Sequence, residues 1–395
     1  MKCDQLFEIP QSRQEFPAPV AVEEIRRQGF FSNGWILTLN REQILVGWGK
    51  WLQTEGSPTL GQCRIYTPDF YLESKHPWKM TEHFTLISRL DFARLMGIDQ
   101  TSGNSVAENQ SFGGEKFSEK LNWLEPSEEI FSEAWAKIQA GFKERGLKKA
   151  VPAVYATAHC ETGLIGIERF LAAVAALPGE LYPYGFWQTS SVGTCQPHSE
   201  GMIGATPEVL FSQLQPDVIE TMALAGTRPR SPDSSDIDFL SDVKERREHQ
   251  LVVDDIMERL LPFGSIAVNT IKVLKLPTLE HLLTEISLQA DEVPSFTELV
   301  ETLHPTPALG VAPRGLGFDE MKLWESNRDR GRFGAPFGAD WGTGRHCVVA
   351  IRNIQWSGES VQLGTGCGVI EQSLKEKEWA ELSLKREAIK RMLDL

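Results

Sequence analysis

Apolar and polar positions alternate early in the chain. Residues 35–39 (WILTL) and 44–49 (ILVGWG) are β-rich runs separated by NREQ, and they predict a hairpin. A polar stretch at 101–120 (TSGNSVAENQSFGGEKFSEK) reads as a loop or internal linker. Pro126 and Ser127, ahead of Glu128 and Glu129, mark a helix start. Ser127 is the expected N-cap, and the helix dipole favours the two acids in the first turn of a helix that runs through Phe142. The apolar run 150–157 (AVPAVYAT) has strand length, and Pro152 places it at an edge or a bulge.

Helical periodicity returns at 239–262 and 374–394. Between these segments lie LHPTPALG (303–310) and a Gly-rich region at 331–344. The runs CVVAIRNIQW (347–356) and VQLGTGCGVI (361–370), joined by Ser-Gly-Glu-Ser, predict a second antiparallel hairpin. No internal repeat is visible. Short strands joined by hairpins, with helices interspersed, predict an α+β fold rather than a doubly wound βαβ fold.

Composition narrows the function. The 395 residues are 41% apolar and 24% charged, which is ordinary for a globular protein and excludes disordered, collagen-like and small disulfide-stapled chains. The net charge of −14 argues against nucleic acid or an anionic membrane surface as partner. An anionic small substrate is compatible only with a local cluster of cationic groups. The six cysteines form no Cys-x-x-Cys pair, so neither a zinc knuckle nor a thioredoxin-like motif is expected. The N-terminal residues lack an apolar signal-peptide core, and the apolar stretch at 170–178 is far too short to span a bilayer. The expectation is a reduced, soluble, cytoplasmic protein.

Several features carry possible chemistry. Glu245 and Glu248 sit three apart on one predicted helix, and Glu378 and Glu381 sit three apart on another. That spacing puts each pair on one helix face. Facing helices would gather an oxygen-rich setting suited to Mg²⁺, whereas on spacing alone the pattern is also that of a solvated face. Gly364, Gly366 and Gly368 alternate along one strand, leaving one face bare for a ligand or for close packing. Arg352 stands in an otherwise apolar strand as a candidate carboxylate clamp or an outward-facing residue. Gly226 and Thr227, in ALAGTRPR, offer backbone donors and a hydroxyl to an oxygen-rich ligand, or simply end a strand. Lys149 and Glu208 each adjoin an apolar run and form a candidate base and acid, although singly each is the kind of residue found on surfaces.

Taken in order, eight segments resemble the chorismate-utilising enzymes: isochorismate synthase, salicylate synthase, anthranilate synthase component I and aminodeoxychorismate synthase component I. They are GATPEVL (204–210), ALAGTRPR (223–230), KERREHQLVVDDI (244–256), LHPTPALG (303–310), FGAPFG (333–338), VVAIR (348–352), GCGVIEQS (366–373) and EWAELSLK (378–385). The resemblance covers roughly 125–395. It divides the chain into a catalytic region at 121–395 and a variable N-terminal part of the same fold at 1–120. It implies two packed antiparallel β-sheets surrounded by helices. It also implies Mg²⁺ held by Glu248 and Glu381, with Glu245 and Glu378 as further carboxylates. The substrate would be chorismate, a dianion. Arg352, the backbone at Gly366, Cys367 and Gly368, and also Gly226, Thr227, His304 and Lys385 are the implied substrate-binding residues.

Within the family, two positions discriminate. Ala225 stands where aminodeoxychorismate synthases carry a nucleophilic Lys, and Lys149 stands where anthranilate synthases carry Gln. The string QLVVDDIMERLLPF also resembles the water-using branch. The implied activity is isochorismate synthase, with Lys149 as base and Glu208 as acid, acting as a monomer without a glutaminase subunit. The alternatives are salicylate synthase and, further off, an enzyme like anthranilate synthase component I. The segment KKAVPAVYATAH departs from the usual Lys-Val-Val-Leu-x-Arg, which leaves Lys148 as a neighbouring register, and Cys367 replaces the usual Ala.

Overall fold

A computed structural model describes residues 16, 20–54, 56–59, 61–98, 121–161, 165–190, 198–231, 235–325 and 330–395. The linker expected at 101–120 lies outside the described residues. The chain opens with helix α1 (Val22–Arg27), strands β1 (Asn33–Thr38), β2 (Gln43–Gln53), β3 (Arg64–Tyr66) and β4 (Trp78–Ser88), and helices α2 (Arg89–Leu95) and α3 (Glu128–Glu144). Strands β5 (Lys149–Ala150) and β6 (Ala153–His159), helix α4 (Ile167–Ala175), and strands β7 (Tyr182–Ser190), β8 (His198–Thr206), β9 (Val209–Gln215) and β10 (Val218–Pro229) follow. Next come α5 (Asp236–Ser241), α6 (Val243–Leu260), β11 (Gly264–Val268), β12 (Lys272–Lys275), β13 (Leu279–Ala290), α7 (Phe296–Leu303), β14 (Val311–Ala312) and α8 (Gly317–Glu325). The chain closes with β15 (Pro336–Asp340), β16 (Arg345–Val349), β17 (Asn353–Ser357), β18 (Ser360–Gly366), β19 (Val369–Ile370) and α9 (Lys375–Leu393).

The pairing among these strands is antiparallel throughout. One hydrogen-bonded path runs β11-β13-β10-β9-β16-β15-β3-β4-β2-β1-β7-β8-β17-β18-β6, with β12 beside β13, and β14-β5-β19 form a small second sheet. The long path doubles over on itself. Phe186 of β7 stacks on Phe337 of β15 with ring centroids 6.4 Å apart, although five steps of the path separate the two strands. Trp35, Tyr184 and Met202 share one buried cluster with Met222, Leu224 and Leu283 from the other limb. This cluster fills the space between two packed halves of sheet.

Period-two alternation sends the other side chains outward to helices. Ile219, Ala223 and Ala225 of β10 pack in a cluster with α3, α6 and α7. Ile36 and Ile203 pack in another with α2, α4 and the end of α9. The architecture is therefore α+β, helices outside two packed antiparallel layers. Strands β1–β4 lie within the path, between β15 and β7.

Local expectations fare unevenly. The first hairpin forms as read, with Ile36 opposite Val46. Helix α3 starts after Ser127, but the Ser127 side chain makes no capping hydrogen bond. The helix expected at 239–262 is two helices, because Asp242 turns extended and its side chain caps the second by accepting from the Glu245 N–H at 3.0 Å. The run 150–157 splits at Val151–Pro152: β5 joins the small sheet, and β6 is the terminal strand of the long path. The strand expected at 347–356 is also two strands. It breaks at Ala350–Arg352, where Arg352 adopts the left-handed conformation (φ 56°). Only its second half, β17, forms the hairpin with β18.

Candidate active site

A cavity of about 290 Å³ opens where several of these irregularities meet. The β8–β9 turn brings Glu208, the irregular end of β10 brings Ala225, Gly226 and Thr227, and α6 brings Glu248. Strand β13 adds His281, the bend after β16 adds Arg352, and β18 adds Gly364 and Gly366. Gly368, and Glu381 and Lys385 of α9, complete the polar wall. Leu177, Leu181, Leu279, Ile389 and Met392 line the remainder with apolar surface.

Glu208 is 4% exposed. The turn that holds it is fixed by its own backbone: its N–H donates to Thr206 Oγ1 at 3.1 Å, and its carbonyl accepts from the Val349 N–H at 3.1 Å. Burial pushes its carboxyl up to about 7, against the pull of Lys149, Lys385 and Arg352. A carboxylic acid that retains its proton near neutrality is suited to proton donation.

Arg352 Nη2 lies 2.7 Å from His281 Nε2. A guanidinium can only donate, so Nε2 accepts and the imidazole proton sits on Nδ1, which faces Thr227 Oγ1 at 3.1 Å. Burial holds His281 well below its usual range and therefore neutral. Burial also lowers Arg352 to about 10, which leaves it charged at neutral pH. The left-handed backbone at Arg352 is uncommon for a non-glycine residue, and it turns the side chain out of the strand's alternation. Sequence reading missed His281, because a histidine inside the apolar run TLEHLLTEI looks like any core residue.

Each of the four candidate metal-binding glutamates meets a lysine. Lys149 Nζ, fully buried, is 3.0 Å from Glu248 Oε1 in an ion pair. Lys244 Nζ reaches both Glu245 Oε1 at 3.0 Å and Glu378 Oε1 at 3.1 Å. Lys385 Nζ sits 2.7 Å from Glu381 Oε1 and donates to the Gly366 carbonyl at 2.9 Å. The environments differ. Burial raises Glu248, but Lys149 and Lys244 outweigh it and hold the carboxyl below its usual range. Burial and neighbouring Glu381 push Glu378 up to about 7, while burial and Glu248 raise Glu245. Among the described residues no three acidic, His or Cys side chains stand close enough to ligate an ion as they are. The donor set is nonetheless all carboxylate oxygen on two helices bridged by Lys244, and its four carboxylates face three lysines. It fits a hard divalent cation such as Mg²⁺.

The glycine strip has a packing reason. A Cβ at Gly364 would lie 2.5 Å from Phe333, and one at Gly368 would lie 2.0 Å from Glu248 Oε1 and 3.1 Å from Lys149 Cε. These glycines make room for protein side chains and also present backbone to the cavity. Some expected residues lie off the cavity wall. Lys149 is behind Glu248 and Gly368, while adjacent Lys148 is exposed. The Cys367 side chain is buried in the helix-side core. Glu245 and Glu378 stand one layer back with Lys244. His304 is also away from the wall: its Nε2 donates to the Phe70 carbonyl at 2.7 Å, burial lowers it to about 3, and its contribution is to the loop whose Ala308 and Leu309 reach the cavity. Fully buried Arg330 fastens that loop by donating to Leu309 O at 3.0 Å and Val151 O at 2.7 Å.

The doubled antiparallel layers and the lysine-paired carboxylates beside a buried acid define a class. The family model described as "Chorismate binding enzyme" matches residues 104–394, and the chain belongs to that family. Among curated relatives, it is 32% identical over 207 residues to the salicylate biosynthesis isochorismate synthase of Pseudomonas aeruginosa, covering 50% of this chain and 43% of the relative. It is 31% identical over 212 residues to isochorismate synthase MenF of Bacillus subtilis, with the same coverage. The chain thus spans less than half the length of these relatives. A longer match, 27% over 278 residues, covers 67% of this chain and 66% of the vibriobactin-specific isochorismate synthase of Vibrio cholerae. The solved structure of MenF, the menaquinone-specific isochorismate synthase of Escherichia coli, shares the fold with a TM-score of 0.72 at 19% identity, covering 95% of this chain and 92% of that one.

Proposed function

We propose that this protein is an isochorismate synthase that isomerises chorismate to isochorismate. The observation that carries the reading is Glu208, a buried acid protonated near neutral pH. It opens on the same small-molecule cavity as Arg352, Lys385 and Glu248. Curated relatives with isochorismate synthase names support the class of reaction.

In this reading Arg352, aimed by His281, pairs with a substrate carboxylate beside the backbone of Gly366 and Gly368. Lys149 is read as the base: in its neutral form, released from Glu248 and reaching past Gly368, it would take a proton from a water as the water oxygen bonds to C2. The ring double bonds shift, the C4–oxygen bond breaks, and Glu208 protonates the departing hydroxyl, which leaves as water. One water enters and one leaves, so the product is an isomer of the substrate. Each proton transfer of this kind contributes about 10²–10⁴-fold. Glu248 and Glu381, with Glu245 and Glu378 behind them, would hold Mg²⁺, which supplies charge neutralisation and a template for the second carboxylate. We further read the enzyme as cytoplasmic, acting as a monomer without a glutaminase subunit, and feeding menaquinone or siderophore synthesis.

The test is product analysis by chromatography after incubation with chorismate and Mg²⁺, with EDTA as control. Isochorismate mixed with residual chorismate is the expected result. Salicylate with pyruvate would transfer the protein to the salicylate synthase branch. No Mg²⁺-dependent product, with or without ammonia, would refute the reading.

A further inference from the structure

The mechanism leaves one half-buried cation without a part: Lys244, which bridges two of the four glutamates. Lys244 lies on the first turn of α6, and its ammonium contacts Glu245 on the same helix and Glu378 on α9. The other two lysines do not join these helices, since Lys149 comes from β5 and Lys385 pairs within α9. Glu245 is tied down a second time, its Oε2 accepting from the Thr227 N–H at 2.9 Å in the cavity wall. Glu378 is 2% exposed, so its carboxylate has little water to fall back on. Two carboxylates of the quartet thus share one protein cation away from the cavity wall, whereas Glu248 and Glu381 each pair with a lysine of their own and face the cavity.

We propose that Lys244 is a built-in counter-cation for the metal site. It occupies Glu245 and Glu378, keeps α6 and α9 together when no metal is bound, and leaves Glu248 and Glu381 as the direct ligands. Lys244 is thereby a positioning residue that acts through two carboxylates, and it weakens metal binding by pre-neutralising part of the site. This inference rests on the reading of the four glutamates as a divalent-cation site.

The test uses full-length protein stripped with EDTA, with Mg²⁺ binding measured by calorimetry and the melting midpoint followed with and without MgCl₂. In Lys244→Gln the metal-free midpoint falls by about 2–4 °C, while Mg²⁺ binds about tenfold more tightly because two unpaired carboxylates now attract it. Lys244→Arg keeps both properties near wild type. In the double variant Lys244→Gln/Glu378→Gln the metal-free midpoint recovers, which keeps the test usable if the single variant folds poorly. A lowered midpoint with unchanged Mg²⁺ affinity would reduce Lys244 to a structural residue and overturn the proposal. Wild-type protein that binds no Mg²⁺ at all would overturn the metal site itself, a different result from a failure of Lys244 alone.

Discussion

The β8–β9 turn and the inner face of α6 each present a buried glutamate to the same cavity, and both feel Lys149. Their proton affinities nevertheless move in opposite directions. Glu208 has cationic neighbours but no ion pair with any of them among the described residues, and burial wins, raising it to about 7. Glu248 has an ammonium at 3.0 Å, and the lysines win, holding it ionised. Burial is common to both, so the close ammonium separates this pair; Glu378 stays raised beside Lys244 because burial and the neighbouring Glu381 and Glu248 outweigh that cation.

The largest effect should come from breaking the ionised side. Glu248→Gln leaves Lys149 facing a neutral amide and removes a candidate inner ligand. Mg²⁺-dependent turnover should fall by about 10⁴-fold, roughly 5 kcal/mol of transition-state stabilisation, with the far-ultraviolet circular dichroism unchanged. Wild-type turnover in that variant would sink the metal assignment.

On the protonated side, Glu208→Gln should lower kcat by about 10³-fold with a small change in KM, because only proton donation is lost. Steady-state kinetics on chorismate decides this, and a loss confined to KM would make Glu208 a binding residue instead. Gly368→Ala sharpens the contrast without touching a charge. Its methyl would collide with Glu248 Oε1, and Mg²⁺ affinity should drop by about 10–100-fold, as when a ligand's supporting contact is lost. Calorimetric titration with MgCl₂ checks it.

Smaller effects follow from the raised carboxyl. In the proposed mechanism Glu208 acts in its acid form, so kcat/KM should decline as pH rises through about 7. The stability sign is equally defined. A folded value above the ordinary carboxylate value of about 4.3 gives a contribution that is complete below the unfolded value and lost as pH climbs through the folded one. Wild-type protein should therefore lose about 2–4 °C more of its melting midpoint between pH 5 and 8 than Glu208→Gln does. Equal losses would contradict the assignment.

Much of the fold was readable in the residues, because hairpins and amphipathic helices are local. The β1–β2 pair and α9 needed only alternation and periodicity. What escaped were single-residue decisions made by tertiary context. Asp242 ends one helix to cap the next, and Arg352 enters the left-handed region inside a run that reads as continuous strand. The candidate site followed the same rule. Glu208, Glu248, Glu381 and Arg352 lie in segments shared with the family, and all four line the cavity. Lys244 and His281 escaped, since a lysine on a polar helix face and a histidine in an apolar strand gain meaning only from what lies across from them.

The contrast between the two glutamates can be measured on the carboxyl groups themselves. Infrared difference spectra between wild-type protein and Glu208→Gln, both metal-free, isolate the carbonyl stretch of a protonated Glu208. The expected result is a protonated-carboxyl band in the wild type at pH 6 that disappears by pH 8, while Glu248→Gln removes no such band. Absence of the band at pH 6 would mean that Glu208 is already ionised, and the acid role would fall.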